Sequence, residues 1–216
     1  MTHELAYLSG LVGSGVTPSL TPRLHMAEGR AHGLNYVYRP IDLTVLELDP
    51  EDLREILNWA EMLGFNALNI THPCKRDVLE FLDHVDPVAA SLGAVNTVLF
   101  TPEGRVGHNT DTTGFERAFT VGLPGAWTRR VVQVGAGGAG SAVADALLRL
   151  GTAELTIVDL DRDRAAEVAQ SLAGRHAAVV RGVGLEGLEE VLAQSDGVVQ
   201  CTPIGMHQHS GTPFDL

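Results

Sequence analysis

One stretch constrains this chain more than any other. Residues Arg130-Val131-Val132-Gln133-Val134-Gly135-Ala136-Gly137-Gly138-Ala139-Gly140 read as an apolar strand, a glycine-rich turn and a helix start, and Asp159 follows nineteen residues after Gly140. A second apolar run, Leu155 to Val158, ends on that carboxylate. This order is what a dinucleotide pyrophosphate and an adenosine ribose require. Gly135 permits a tight turn, Gly137 lets the backbone approach the pyrophosphate, and Gly140 lets the helix pack close to the strand. The helix start offers N–H groups and a positive dipole end to phosphate. The same glycines do not fit a phosphate-binding NTPase loop, because Ser141-Ala142 stands where Lys followed by Ser or Thr is needed.

The 216 residues suit one large or two small domains, and an apolar fraction of 44% fills a core. A formal net charge of −12 disfavours nucleic acid and anionic membrane surfaces as partners. No segment is apolar over enough length to span a bilayer, and the first residues, Met1-Thr2-His3-Glu4, lack the basic start of a secretory signal. Cys74 and Cys201 show no metal-ligand spacing and read as free thiols of a reducing cytoplasm, the expected location. His207 and His209 lie in a polar turn without convergent carboxylates or thiols, so no metal is expected.

Strand and helix patterns alternate along the chain. Strands are expected at residues 7–12, 36–43 and 67–70, and helices at 22–32 (N-cap Thr21), 50–63 (N-cap Asp49) and 75–84. A hairpin is expected from 94–100 and 105–108, then a helix over 112–121 capped by Asp111. The Gly- and Pro-containing stretch 122–128 marks a junction, giving domains 1–121 and 122–216. Strands near 131–135, 154–158, 178–183 and 197–201 follow, with helices between them, which implies a parallel sheet covered on both faces. A full dinucleotide fold carries about six strands, so the second domain is either minimal or incomplete. The expectation is truncation after Leu216.

Residues for chemistry cluster at strand ends in the first half. Lys75 is placed at a helix start, where the dipole disfavours a cation and a functional role is suggested. Asp111 is explained equally by helix capping and by reception of a substrate hydroxyl. Asn96 sits in an otherwise apolar strand and must find partners, which a ligand hydroxyl can supply. Ser19 and Thr21 offer two hydroxyls to one carboxylate; capping is their alternative role and suits Thr21 better than Ser19.

These residues resemble the shikimate dehydrogenase family, most nearly its NAD-dependent quinate/shikimate branch. The matching motifs are Ser19-Leu20-Thr21-Pro22 with His25, Asn69-Ile70-Thr71-His72-Pro73-Cys74-Lys75, Gly93 to Thr97, Gly107 to Asp111, Gly135 to Gly140, and Cys201 to Met206. They stand in family order over essentially the whole chain. The resemblance implies an α/β architecture, with an N-terminal three-layer substrate domain and a C-terminal Rossmann-like domain. It implies that Lys75 and Asp111 form the catalytic pair and that Ser19 and Thr21 bind a substrate carboxylate. Thr71, Lys75, Asn96 and Asp111 would bind ring hydroxyls. Gly135, Ala136, Gly137, Gly138, Ala139, Gly140, Asp159 and Arg164 would hold the cofactor, with Thr202, Pro203 and Met206 near its nicotinamide. The family's C-terminal glutamine and tyrosine segment would fall beyond Leu216.

The implied reaction oxidises a ring secondary alcohol of a carboxylated polyol to a ketone, or the reverse. Lys75 either passes the hydroxyl proton or stays charged to stabilise an alkoxide. Asp159 favours NAD, because a carboxylate accepts from both ribose hydroxyls and repels a 2′-phosphate. Arg162 and Arg164 pull towards NADP, since arginine clamps phosphate. Ser19-Leu20-Thr21 points to quinate as well as shikimate within the family. An NADP-dependent shikimate or aminoshikimate dehydrogenase, a methylenetetrahydrofolate dehydrogenase and a catalytically silent regulatory relative are the competing readings. A homodimer is left open.

Overall fold

The computed structural model describes residues 6–206 and 209–214. The chain forms two compact units that divide between Asn109 and Thr110.

The first unit contains β1 (Ala6–Gly13), α1 (Thr21–Ala31), β2 (Asn35–Asp42), α2 (Leu43–Leu46), α3 (Leu53–Met62), β3 (Ala67–Ile70), β4 (His84–Val85), α4 (Pro87–Leu92), β5 (Thr97–Thr101) and β6 (Gly104–His108). Its six strands are ordered β2-β1-β3-β5-β6-β4. β1 pairs in parallel with β2 and β3, while β5 runs antiparallel to β3 and β6. Alternation along β1 drives the layering. Leu11 packs with Val16, Tyr38 and Met26 of α1. Its neighbour Val12 packs with Leu53, Ile56 and Leu57 of α3 and with Leu68 and Ile70. Helices therefore cover two faces of one sheet, giving three layers. On α3 the buried positions Leu53, Ile56, Leu57 and Ala60 follow helical spacing.

Several local expectations are corrected. The helix expected over 50–63 begins as a 3-10 turn, Pro50–Asp52, closed by Asp49 N–H donating to Asp52 Oδ2 at 2.8 Å. No α-helix starts at Lys75: residues 72–76 are turns, followed by a 3-10 helix, Asp77–Phe81. The reason is visible in the hydrogen bonds, since the Lys75 carbonyl accepts from Val95 N at 2.8 Å. The first hairpin strand starts at Thr97, so Asn96 lies just before it. Residues 87–92 form a short helix that periodicity did not reveal. Asp86 caps it through Val88 N, Pro87 opens it and Gly93 closes it at φ 59.

The second unit contains α5 (Asp111–Gly122), β7 (Arg130–Val134), α6 (Gly138–Arg149), β8 (Glu154–Val158), α7 (Arg162–Ala173), β9 (Val179–Val183), α8 (Leu188–Ala193) and β10 (Gly197–Gln200). The four strands are all parallel, in the order β10-β7-β8-β9. Val131 packs with Leu147 and Leu148 of α6 and with Leu172 of α7. Val132 and Val134 face the opposite layer, with Val191 and Leu192 of α8. The division after Asn109 differs from the expected one after residue 121. Phe115 of α5 joins the α6 and α7 cluster, and Thr112 Oγ1 donates to Ala142 O at 3.2 Å, so α5 folds with the second unit. Among the described residues, no helix is long and apolar enough to cross a membrane.

Candidate active site

In the first unit the carboxyl ends of β1, β2 and β3 share one sheet edge with the amino end of β5 and the carboxyl end of β6. The register places Asn69 opposite Thr97 and Thr97 opposite His108. That edge carries Thr71, Lys75 and Asn96, together with the loop that leads from β1 to Ser19 and Thr21. Thr71 N–H donates to Val12 O at 2.9 Å, which seats the β3 end beside β1. Lys75 follows in the turn, partly buried, and its carbonyl is tied to Val95.

Asn96 is 8% exposed and ends a relay of side chains. Tyr38 donates its hydroxyl to Asn69 Oδ1 at 2.7 Å. Asn69 Nδ2 donates to Thr97 Oγ1 at 3.0 Å, and Thr97 donates to Asn96 Oδ1 at 2.9 Å. Behind Tyr38, His25 stacks with ring centroids 4.4 Å apart. Burial pushes the Tyr38 phenol up, with Tyr36 adding to it, and burial pulls His25 below its usual value.

The loop bearing Ser19 and Thr21 is held by Asp42, at the end of β2. Its carboxylate accepts from Gly15 N at 2.8 Å, Thr17 N at 2.8 Å, Thr17 Oγ1 at 2.7 Å and Thr44 N at 3.1 Å. Burial raises the Asp42 carboxyl, but the hydrogen bonds from Thr17, Gly15 and Thr44 outweigh it and hold it below the usual value. Thr21 is the first helical residue rather than the cap. Ser19 Oγ accepts from Thr21 N at 3.2 Å, so the local bond expected of Thr21 is made by Ser19.

In the second unit, Asp111 is the first residue of α5, with Thr110 in the cap position, so Asp111 is not the cap. The glycine turn lies at the carboxyl end of β7, where the sheet order reverses between β8 and β10. That reversal is where open parallel sheets take ligands. Gly135 has φ 106, and a Cβ on Gly140 would collide with Gly135 O. A Cβ on Gly137 would meet no atom within 4 Å, so the space beside it is open. Gly138, Ala139 and Gly140 precede the first intrahelical bond of α6, from Ser141 N to Gly137 O. The donor set suits a pyrophosphate.

Asp159 follows β8. Its Oδ2 accepts from Ala136 N at 2.7 Å and its Oδ1 from Asp161 N at 2.9 Å. Arg164 lies with its guanidinium 3.3 Å from Asp161 Oδ2, so a carboxylate answers its charge. Beyond β10, Gln200 receives Thr202 N and donates to Ile204 O, shaping the turn that contains Pro203 and leads to Met206. Among the described residues no three His, Cys, Asp or Glu side chains converge as for a metal; His207 lies outside them. Burial pushes the Cys74 thiol up to about 12, with Asp77 adding to it, and burial pushes Cys201 up to about 12.

Sequence reasoning missed Asp42, Tyr38 and Gln133. Asp42 carried a signal, since it is the last residue of β2, directly before the helical turn α2. Gln133 carried another: it is the one amide inside the apolar run 131–134, and it is fully buried.

Both units of the chain are similar to known proteins. A family model for the shikimate dehydrogenase substrate binding domain matches residues 11–98, and one for shikimate/quinate 5-dehydrogenase matches residues 122–206. A shikimate dehydrogenase (NADP(+)) of Pseudarthrobacter chlorophenolicus is 53% identical over 212 residues, covering 98% of this chain and 72% of the relative. A quinate/shikimate dehydrogenase (NAD(+)) of Corynebacterium efficiens is 49% identical over 219 residues, covering 100% of this chain and 76% of the relative. The solved quinate dehydrogenase from Corynebacterium glutamicum in complex with NAD is 48% identical, with a TM-score of 0.85, covering 97% of this chain and 75% of that one.

Proposed function

The chain belongs to the shikimate dehydrogenase family, and from that premise we propose that it oxidises quinate, shikimate or both at a ring secondary alcohol, with NAD as acceptor. The broader class rests on the same relatives: an NAD(P)-dependent oxidoreductase acting on CH–OH groups. The observation that carries the NAD reading is Asp159, a carboxylate placed after β8 and held against the glycine turn through Ala136 N. It meets ribose hydroxyls with acceptors and a 2′-phosphate with like charge. The Asp161–Arg164 pair supports the same reading, because Arg164 already has an anion beside it.

The glycine turn and the start of α6 would hold the pyrophosphate of a bound dinucleotide, and Asp159 its adenosine ribose. Thr202, Pro203 and Met206 would line the nicotinamide end, where the bound group would supply the hydride acceptor. Ser19, in the loop that Asp42 fixes, and Thr21, the first residue of α1, donate to the substrate carboxylate. Thr71 and Asn96 orient ring hydroxyls. Lys75 receives the proton of the reacting hydroxyl, and Asp111 accepts a hydrogen bond from the substrate. The alcohol thus loses one hydride and one proton and becomes the ketone; reduction reverses both transfers.

NADP-dependent shikimate oxidation is the second reading, favoured by Arg164 in the first turn of α7 and by the NADP-named relative. Initial rates with quinate and shikimate, each with NAD and with NADP, separate the two. Higher kcat/KM with NAD supports the proposal; higher kcat/KM with NADP overturns its cofactor assignment.

A further inference from the structure

Gln133 is fully buried in β7, two residues before the glycine turn. On this strand it shares a face with Val131, the face covered by α6. Its Nε2 donates to Gly135 O at 2.9 Å and to Gly140 O at 2.9 Å, the first and last glycines of the turn. Its Oε1 is buried with no partner among the described residues. An apolar side chain of the same size would bury no such orphan, so Gln133 is a poor choice for packing alone.

The two bonds have a consequence at the surface. Gly135 C=O and Ala136 N–H belong to one planar peptide unit and point in opposite directions. Gln133 grips the carbonyl end from inside, and Asp159 Oδ2 grips the N–H end at 2.7 Å from outside. A rotation of that peptide would break both bonds at once. Such a rotation changes ψ of Gly135 and φ of Ala136, and glycine at 135, with no Cβ, leaves that ψ free to change.

We propose that Gln133 is a positioning residue for the cofactor: by fixing the Gly135–Ala136 peptide it sets the Asp159 carboxylate that reads the ribose. It touches neither substrate nor cofactor. The proposal rests on the reading that the glycine turn and Asp159 hold a dinucleotide.

The test uses Gln133→Met, matched in volume without donors, with Gln133→Asn as the milder variant should the first not fold. Asp159→Ala is run in parallel. NADH affinity is read by fluorescence titration, and cofactor preference by the ratio of kcat/KM for NAD to that for NADP. The expected result is an NADH Kd raised about five- to tenfold in Gln133→Met, the scale of one or two net hydrogen bonds. The NAD/NADP ratio falls in the same variant, and substrate KM at saturating cofactor does not change. A lost packing contact alone would lower Tm and leave the ratio where it was. A changed ratio in Asp159→Ala with an unchanged ratio and Kd in Gln133→Met overturns the brace alone. An unchanged ratio in Asp159→Ala overturns the ribose reading, and the brace with it.

Discussion

Thr97 donates its hydroxyl to Oδ1 of Asn96 at 2.9 Å, and this bond sets which end of the Asn96 amide is the acceptor. The orientation is inherited, because Thr97 itself accepts from Asn69 and Asn69 from Tyr38. A buried amide whose oxygen is bonded by a neighbour is held in one orientation, which the proposed contact with a ring hydroxyl requires. Thr97→Val keeps the shape and removes the donor. Substrate KM is expected to rise about three- to tenfold, the range of one net hydrogen bond, with NADH affinity unchanged. Thr97→Ser restores the wild-type KM. Steady-state kinetics of the three proteins check this, and equal KM values for wild type and Thr97→Val would contradict it.

Asp42 is expected to govern the acid stability of the first unit. Its folded value is held below the ordinary carboxyl value by four hydrogen bonds. A depressed folded value stabilises the fold above the unfolded carboxyl value, and this contribution is lost as pH falls through the lowered folded value. Asp42→Asn should therefore lower Tm near neutral pH and flatten the acid limb of Tm against pH. Asp42→Ala should cost roughly 1–3 kcal/mol, the penalty for donors left buried without an acceptor. An acid limb as steep in Asp42→Asn as in wild type would refute the assignment.

Thr152 offers a contrasting case. Its Oγ1 is buried just after α6, with no partner among the described residues. Thr152→Val replaces an unsatisfied hydroxyl with a methyl of nearly equal volume. Chemical denaturation should show a change within about 0.5 kcal/mol or a small gain. A loss of more than about 1 kcal/mol would show that the hydroxyl has a partner after all.

The frame of the fold was legible because its signals are local and repeated. The second unit's strands lie within a residue or two of the expected positions, since each is a short apolar run beside a glycine or an acidic stop. The structure departs from the local pattern where a distant backbone group overrides it. Val95 N takes the Lys75 carbonyl, so a helical-looking stretch forms turns and Lys75 does not stand at the start of an α-helix. α5 carries no sign in its own sequence of which unit it joins, because that depends on Phe115 meeting residues of α6 and α7. The braces were least legible. Asp42 and Gln133 act on backbone groups brought near by tertiary structure. A single polar residue at a strand end or in an apolar run can equally well cap a turn or face solvent.

Lys75 is the residue on which the proposed chemistry depends, and its removal tests that chemistry most directly. The measurement is NADH formation from quinate or shikimate by wild type and Lys75→Ala at saturating NAD. In Lys75→Ala, kcat is expected to fall at least about a hundredfold, the range for loss of a positioned proton acceptor, with only a modest change in KM. Turnover by Lys75→Ala close to the wild-type rate would contradict the proton-acceptor role.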